Sequence, residues 1–110
     1  MIQVEKDGWI VYQLPIITGK ENGMAKGWYN TGEKLMERYF VEGKKEGIFK
    51  QWWPNGNLRY LFNYKNDLFD GTQTVFFPDA KKRELSNYRM DKEEGLQSTW
   101  NEEGQLISNY

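Results

Sequence analysis

The chain has no histidine and no cysteine. Without histidine it lacks the commonest general base and metal ligand near neutral pH, and neither a Ser-His-Asp nor a Cys-His arrangement can be assembled. Without cysteine there is no disulfide framework and no thiolate metal site, so a small domain must hold together without covalent staples. No apolar run approaches the ~18 residues of a membrane-spanning helix. No positively charged start followed by an apolar stretch marks a signal peptide, so the expected address is cytoplasmic. No segment keeps a 3.6-residue hydrophobic period for three turns, which argues against helix. Phosphate-binding GxxxxGK[ST] and EF-hand loops are absent. Carboxylate pairs do occur, as Glu93-Glu94 and Glu102-Glu103. Neighbours on a strand point to opposite faces, and these pairs fall at turns, where they are solvated. The expectation is a non-enzymatic protein with no cofactor and no metal.

What the chain does contain is charge and aromatic surface. Charged residues make up 28% of its 110 positions, apolar residues only 38%, yet aromatics reach 16%. Mean hydropathy is −0.87. Such a composition cannot fill a thick aliphatic core, but it can cover a sheet with large rings, each burying ~150–250 Å². Net charge is −1, unevenly spread. Residues 91–110 hold Asp91, Glu93, Glu94, Glu102 and Glu103 against Lys92 alone, while the rest of the chain is net basic. An acidic end of this kind either forms solvated turns or attracts a basic partner.

The glycines are periodic. Gly8, Gly32, Gly56 and Gly104 are separated by multiples of 24, with Ala80 in the missing slot. Gly19 and Gly43 are continued by Asp67 and Asp91, and Gly23, Gly47, Gly71 and Gly95 form a third column. Only Gly27 of the eleven glycines stands outside these columns. Aromatic columns run alongside: Trp28, Trp52, Phe76, Trp100; Phe40, Tyr64, Tyr88; Tyr29, Trp53, Phe77. Before the third glycine column stand Asn22, Glu46, Asp70 and Glu94. Regular glycines mean regular turns, and a fixed period of this length means a repeat architecture. The division is a single repeat domain over 1–110, with a degenerate unit 1–22, units 23–46, 47–70 and 71–94, and a partial unit 95–110.

Each unit holds two strand-like runs. The segment GIFKQWWP ends in Asn55-Gly56, a signal for a tight type I′ hairpin, and NLRYLFNYK then runs into a longer turn, NDLFDG. Counting outward from a two-residue turn sets Trp52 opposite Arg59, Trp53 opposite Leu58 and Gln51 opposite Tyr60. The first pair would stack a guanidinium on an indole. Further turns are placed near Asn30-Gly32, Asp79-Ala80 and Glu103-Gly104. Large residues alternate onto both faces, which suits a single twisted sheet better than a sandwich. The fold expected is all-β: an elongated antiparallel meander of about nine strands in successive hairpins.

The pattern EG-x-x-x-x-W-W-P-N-G-N-L…Y-K-N-x-x-x-D-G resembles the MORN-variant repeat, and KGWYNTGEKL…YFVEGKKEG and DGTQTVFFPDA…NYRMDKEEG look like further copies. The resemblance covers roughly residues 19–110. It implies β-hairpins in an elongated sheet. For function it implies a binding protein of the bacterial antitoxin or immunity kind, whose partner is a cognate toxin protein, the chain being a monomer alone or a heterodimer with that toxin. The alternative it implies is a structural or membrane-associated scaffold. It brings no catalytic residues. This chain departs from the repeat pattern at Asp67, Ala80 and Asp91, where glycine is usual.

Aromatic ladders can stack bases, but they also hold neighbouring hairpins together, and the charges between them are not mainly basic; no nucleic-acid partner is expected. The candidate contact site is the turn at 67–70. Where sister turns carry Lys44 and Lys92, this one carries Leu68; where they carry Lys45 and Glu93, it carries Phe69. The pair either tucks against the sheet or protrudes as an apolar anchor rimmed by Asp67 and Asp70, with Trp53 and Tyr60 widening the patch and Glu93 and Glu94 nearby.

Overall fold

Residues rich in β-branched and aromatic side chains, punctuated by residues at positive φ, form hairpins wherever the chain is long enough to pair with itself. The computed structural model describes residues 1–109 and consists of strands and turns throughout. The strands are β1 (Ile2–Lys6), β2 (Trp9–Leu14), β3 (Ile16–Ile17), β4 (Lys20–Glu21), β5 (Gly23–Trp28), β6 (Lys34–Val41) and β7 (Lys44–Trp52). They continue as β8 (Leu58–Lys65), β9 (Leu68–Phe69), β10 (Gly71–Phe76), β11 (Lys82–Arg89), β12 (Lys92–Glu93), β13 (Ser98–Trp100) and β14 (Leu106–Asn109). One antiparallel sheet runs β1-β2-β5-β6-β7-β8-β10-β11-β13-β14, with β9 and β12 appended to β8 and β11, and β3 paired with β4. The meander is the one the sequence predicts, with ten strands along its path rather than about nine. The molecule measures 43 × 32 × 12 Å along its principal axes, and all of its strands except β3 and β4 belong to the one sheet.

The two kinds of turn are exchanged relative to the sequence expectation. At Asn55-Gly56 the Gly56 N–H bonds the Trp53 carbonyl and the Trp53 N–H bonds the Asn57 carbonyl. Within this turn positive φ falls on Gly56 alone, at +91°. A type I′ turn needs positive φ at both central residues, so this is a type I turn closed by a glycine bulge. Pro54 presets the φ that position i+1 of a type I turn requires. The turns at 29–32, 77–80 and 101–104 repeat the same i→i+3 bond. In the units from residue 23 onward the tight two-residue turns lie at the other end: Glu42-Gly43, Asn66-Asp67 and Met90-Asp91 each have both residues at positive φ and join directly paired positions Val41↔Lys44, Lys65↔Leu68 and Arg89↔Lys92. The first unit has two tight turns of its own, Asp7-Gly8 between paired Lys6 and Trp9 and Thr18-Gly19 between paired Ile17 and Lys20.

The register corrects accordingly. Trp52 pairs with Leu58, not Arg59, while Gln51 does face Tyr60; Trp53 faces Asn57 through the turn bond. The extra residue between them is Arg59, a β-bulge. Equivalent bulges leave Val11, Leu35, Arg83 and Ile107 unpaired in the other hairpins. These five positions are spaced by 24. A bulge turns two successive side chains toward one face and sharpens the twist, so the column repeats the same bend in every hairpin.

Unit is tied to unit along both rims. On one rim, Asn22, Glu46 and Asp70 accept from the backbone N–H of Glu42, Asn66 and Met90 at 2.8, 2.9 and 3.2 Å. The N–H groups of Gly43, Asp67 and Asp91 donate to the carbonyls of Glu21, Lys45 and Phe69. Asp67 and Asp91 add a carboxylate that accepts from Lys45 and Phe69 N–H at 2.8 and 2.7 Å. The left-handed conformations of the tight turns are thus held by the preceding unit. On the opposite rim, the Tyr29 hydroxyl donates to the Trp52 carbonyl and the Trp53 indole N–H to the Phe76 carbonyl. Asn55 and Asn57 both donate to the Pro78 carbonyl.

Candidate functional site

Strand alternation assigns every side chain to one of two faces. Across β5–β8 one face carries Ala25, Arg38, Phe49 and Phe62, in register across β5–β8. The other carries Lys26, Glu37, Lys50 and Leu61 in the same way. The first face is the aromatic one. Gly23, Gly47 and Gly71 are the cross-strand partners of Phe40, Tyr64 and Tyr88. Phe49 and Ala25 are the buried apolar residues among those described; burial here comes from rings lying along the sheet, not from a second layer.

Cations thread these rings into a band. Lys45 Nζ lies 4.9 Å from the Tyr64 ring centre. The Arg38 guanidinium is 5.5 Å from Tyr64 and 4.2 Å from Phe49. Phe49 lies 6.0 Å from Phe62, which stacks on Tyr60 at 5.0 Å. Arg59 continues at 4.8 Å over Tyr60 and 4.5 Å over Trp53. The guanidinium–indole stack expected at Trp52 therefore forms at Trp53, because the bulge turns Arg59 toward that ring; Trp52 has Lys34 at 5.5 Å instead. Burial raises the Tyr64 hydroxyl above its usual pKa of 10.0, opposed by the nearby Arg38 charge and reinforced by Asp91.

Of the sequence-predicted residues, Tyr60 lies in this band and Trp53 at its end. Phe69 tucks against the sheet: its ring is 5.6 Å from Phe62, 5.0 Å from Tyr64 and 5.2 Å from Tyr88. Leu68 and Phe69 are both half-buried in β9, so the pair does not protrude as an anchor, and replacing it by lysines would remove packing between two units. Asp67 and Asp70 accept backbone hydrogen bonds from their neighbours rather than forming a free rim. Trp53 does not widen the turn patch, since β8 separates it from the 67–70 turn. Glu93 and Glu94 are exposed; Glu94 pairs with Arg89 at 3.4 Å. Sequence reasoning missed Arg38, Lys45 and the bulge column. The signal was present: Val11, Leu35, Arg59, Arg83 and Ile107 share the 24-residue spacing, but mixed chemistry hides a column whose common property is backbone geometry.

On the opposite face Met24, Tyr39 and Ile48 are large and exposed, at 37%, 42% and 49%. Met24 pairs with Tyr39 across β5 and β6, and Ile48 lies on the same face of β7 by strand alternation. Among the described residues no helix is long and apolar enough to cross a membrane.

Most of the band, from Lys45 to Tyr64, lies within the stretch that a family model matches, with Arg38 outside it. Residues 45–66 match the family model described as MORN repeat variant, and no curated protein matches the chain. The chain thus carries a MORN repeat variant, the mark of a repeat-based binding or scaffold protein.

Proposed function

We propose that this protein is a binding protein that neutralises a cognate bacterial toxin by covering the toxin's functional surface. The observation that carries the reading is the aromatic band with its free cations. It is an amphipathic surface of the composition that dominates binding energy at interfaces, rich in Tyr, Trp and Arg, on a sheet stiffened along both rims. Trp53 and Tyr60 supply ring contacts. Glu93 and Glu94 at the acidic end supply long-range attraction to basic patches on the toxin. Leu68, Phe69, Asp67 and Asp70 hold the turn beside the band in place, Phe69 against the rings and the two aspartates on backbone N–H groups. The partner is a protein, and the protein works in the cytoplasm without chemistry of its own.

The test is co-expression with the product of the adjacent gene. The expected outcome is that the neighbouring product arrests growth alone, that co-expression restores growth, and that the two purify as a stoichiometric complex. A non-toxic neighbour, or arrest that persists with the complex absent, sinks the reading. Exposed Met24, Tyr39 and Ile48 favour a second reading, a scaffold that lays this face on a membrane or larger assembly. It predicts co-sedimentation with anionic vesicles and loss of that binding in Ile48→Ser.

A further inference from the structure

Three cations in the band are not required by the repeat that carries them. Arg38 stands in a column whose other members are Leu14, Phe62, Ser86 and Tyr110. Arg59 shares the bulge column with Val11, Leu35 and Ile107 as well as Arg83. Lys45 is matched by Glu21, Phe69 and Glu93. Sister units build the same hairpin with apolar, neutral or acidic side chains, so local folding does not ask for positive charge here. Each cation lies over a ring, and among the described residues none of the three meets a carboxylate within ion-pair distance. The Arg38 Nε is buried without a hydrogen-bond partner. A guanidinium over a ring is held in place, while its in-plane N–H fork remains matched to a carboxylate.

We propose that this face binds an acidic, extended segment of a partner protein, with carboxylates on Arg38 and Arg59 and apolar or aromatic side chains lying on Tyr60 and Trp53. This rests on the toxin-neutralising reading and names the chemistry of the segment the toxin presents. The dimensions agree: the eight residues of β8 beneath the band span about 26 Å, the reach of an extended peptide of about eight residues. A polyphosphate chain suits the face less well. Tyr60 is in register with Val75 and Glu84, and Tyr88 with Glu93, so two carboxylates flank the band on the same face. They would repel a continuous run of phosphates but leave room for carboxylates spaced by neutral residues.

The test uses the full chain and a labelled peptide of about eight residues alternating glutamate and tyrosine. Comparison probes are the same peptide with lysine for glutamate and a single-stranded thymidine oligonucleotide of similar length, all at low salt. Binding of the acidic peptide alone is expected. Arg59→Gln, at a half-buried bulge position that Val11 and Leu35 fill elsewhere, should fold as wild type and weaken binding about tenfold, and Arg38→Gln should do the same if it folds. A control on the opposite face, Lys26→Gln with Lys50→Gln, removes two charges and should leave affinity within about twofold. No binding of the acidic peptide, equal loss in the control, an unchanged Arg59→Gln, or tighter binding of the oligonucleotide each overturns the proposal. The growth assay separates it from the functional reading: rescue that survives in Arg59→Gln defeats the segment but not the neutralisation, and a non-toxic neighbour defeats the neutralisation but not the segment.

Discussion

Ala80 occupies a slot that glycine fills in the sister turns, with φ at +75°. An L-residue there is strained by ~1–2 kcal/mol, so Ala80→Gly should raise unfolding free energy by about 1 kcal/mol despite the looser unfolded chain, read from urea denaturation. Gly56→Val tests the same physics in the other direction. A Cβ at Gly56 would meet nothing within 4 Å, so any cost is backbone strain at φ +91° and not collision. The expected loss is ~1–3 kcal/mol. Tyr64 gives a residue-level pH effect. Burial raises its folded pKa above the ordinary 10.0, so the unfolded chain loses the proton first. The stabilisation is therefore complete below about pH 10 and is lost as pH rises through the folded value. Tyr64→Phe should flatten the alkaline limb of a melting-temperature profile; an unchanged limb would show that other groups govern it.

Elements were legible in the sequence where one residue type repeats for one reason. The glycine and aromatic columns located the hairpins, and the turns at 29–32, 53–56, 77–80 and 101–104 fall where those columns place them. Turn type was not legible. Asn-Gly is a strong tight-hairpin signal, but Pro54 in front of it favours a type I turn, and the true two-residue turns are written Asp7-Gly8, Thr18-Gly19, Glu42-Gly43, Asn66-Asp67 and Met90-Asp91. The last two contain no glycine, and their conformation is imposed by bonds from the neighbouring unit, which a local reading does not contain. Asp67 is the clearest case. Its carboxylate accepts the Lys45 N–H at 2.8 Å, so Asp67→Ala should cost ~1–2 kcal/mol. Asp67→Asn, which keeps an acceptor and tolerates positive φ, should cost well under half of that. Equal losses in urea titrations would mean the staple contributes nothing.

For the whole molecule, the single open sheet followed from periodicity and from large residues on both faces. The candidate band did not, because it links Lys45, Arg38 and Arg59 from different columns of neighbouring strands, and only the register brings them together. The charge distribution has a kinetic consequence. If the toxin bears a basic patch, neutralising Glu93, Glu94, Glu102 and Glu103 should lower the association rate at low salt and have little effect once the ions are screened; stopped-flow rates with the same salt slope as wild type would remove the acidic end from recognition. The bonds along the two rims also carry a mechanical consequence. Each joins one unit to the next and none spans further, like stitches in a hem. Pulled apart from its two ends, perpendicular to its strands, the sheet should open stitch by stitch. With the glycine columns set 24 residues apart, each release should free about 80 Å of chain, giving a ladder of near-equal force steps in place of one rupture.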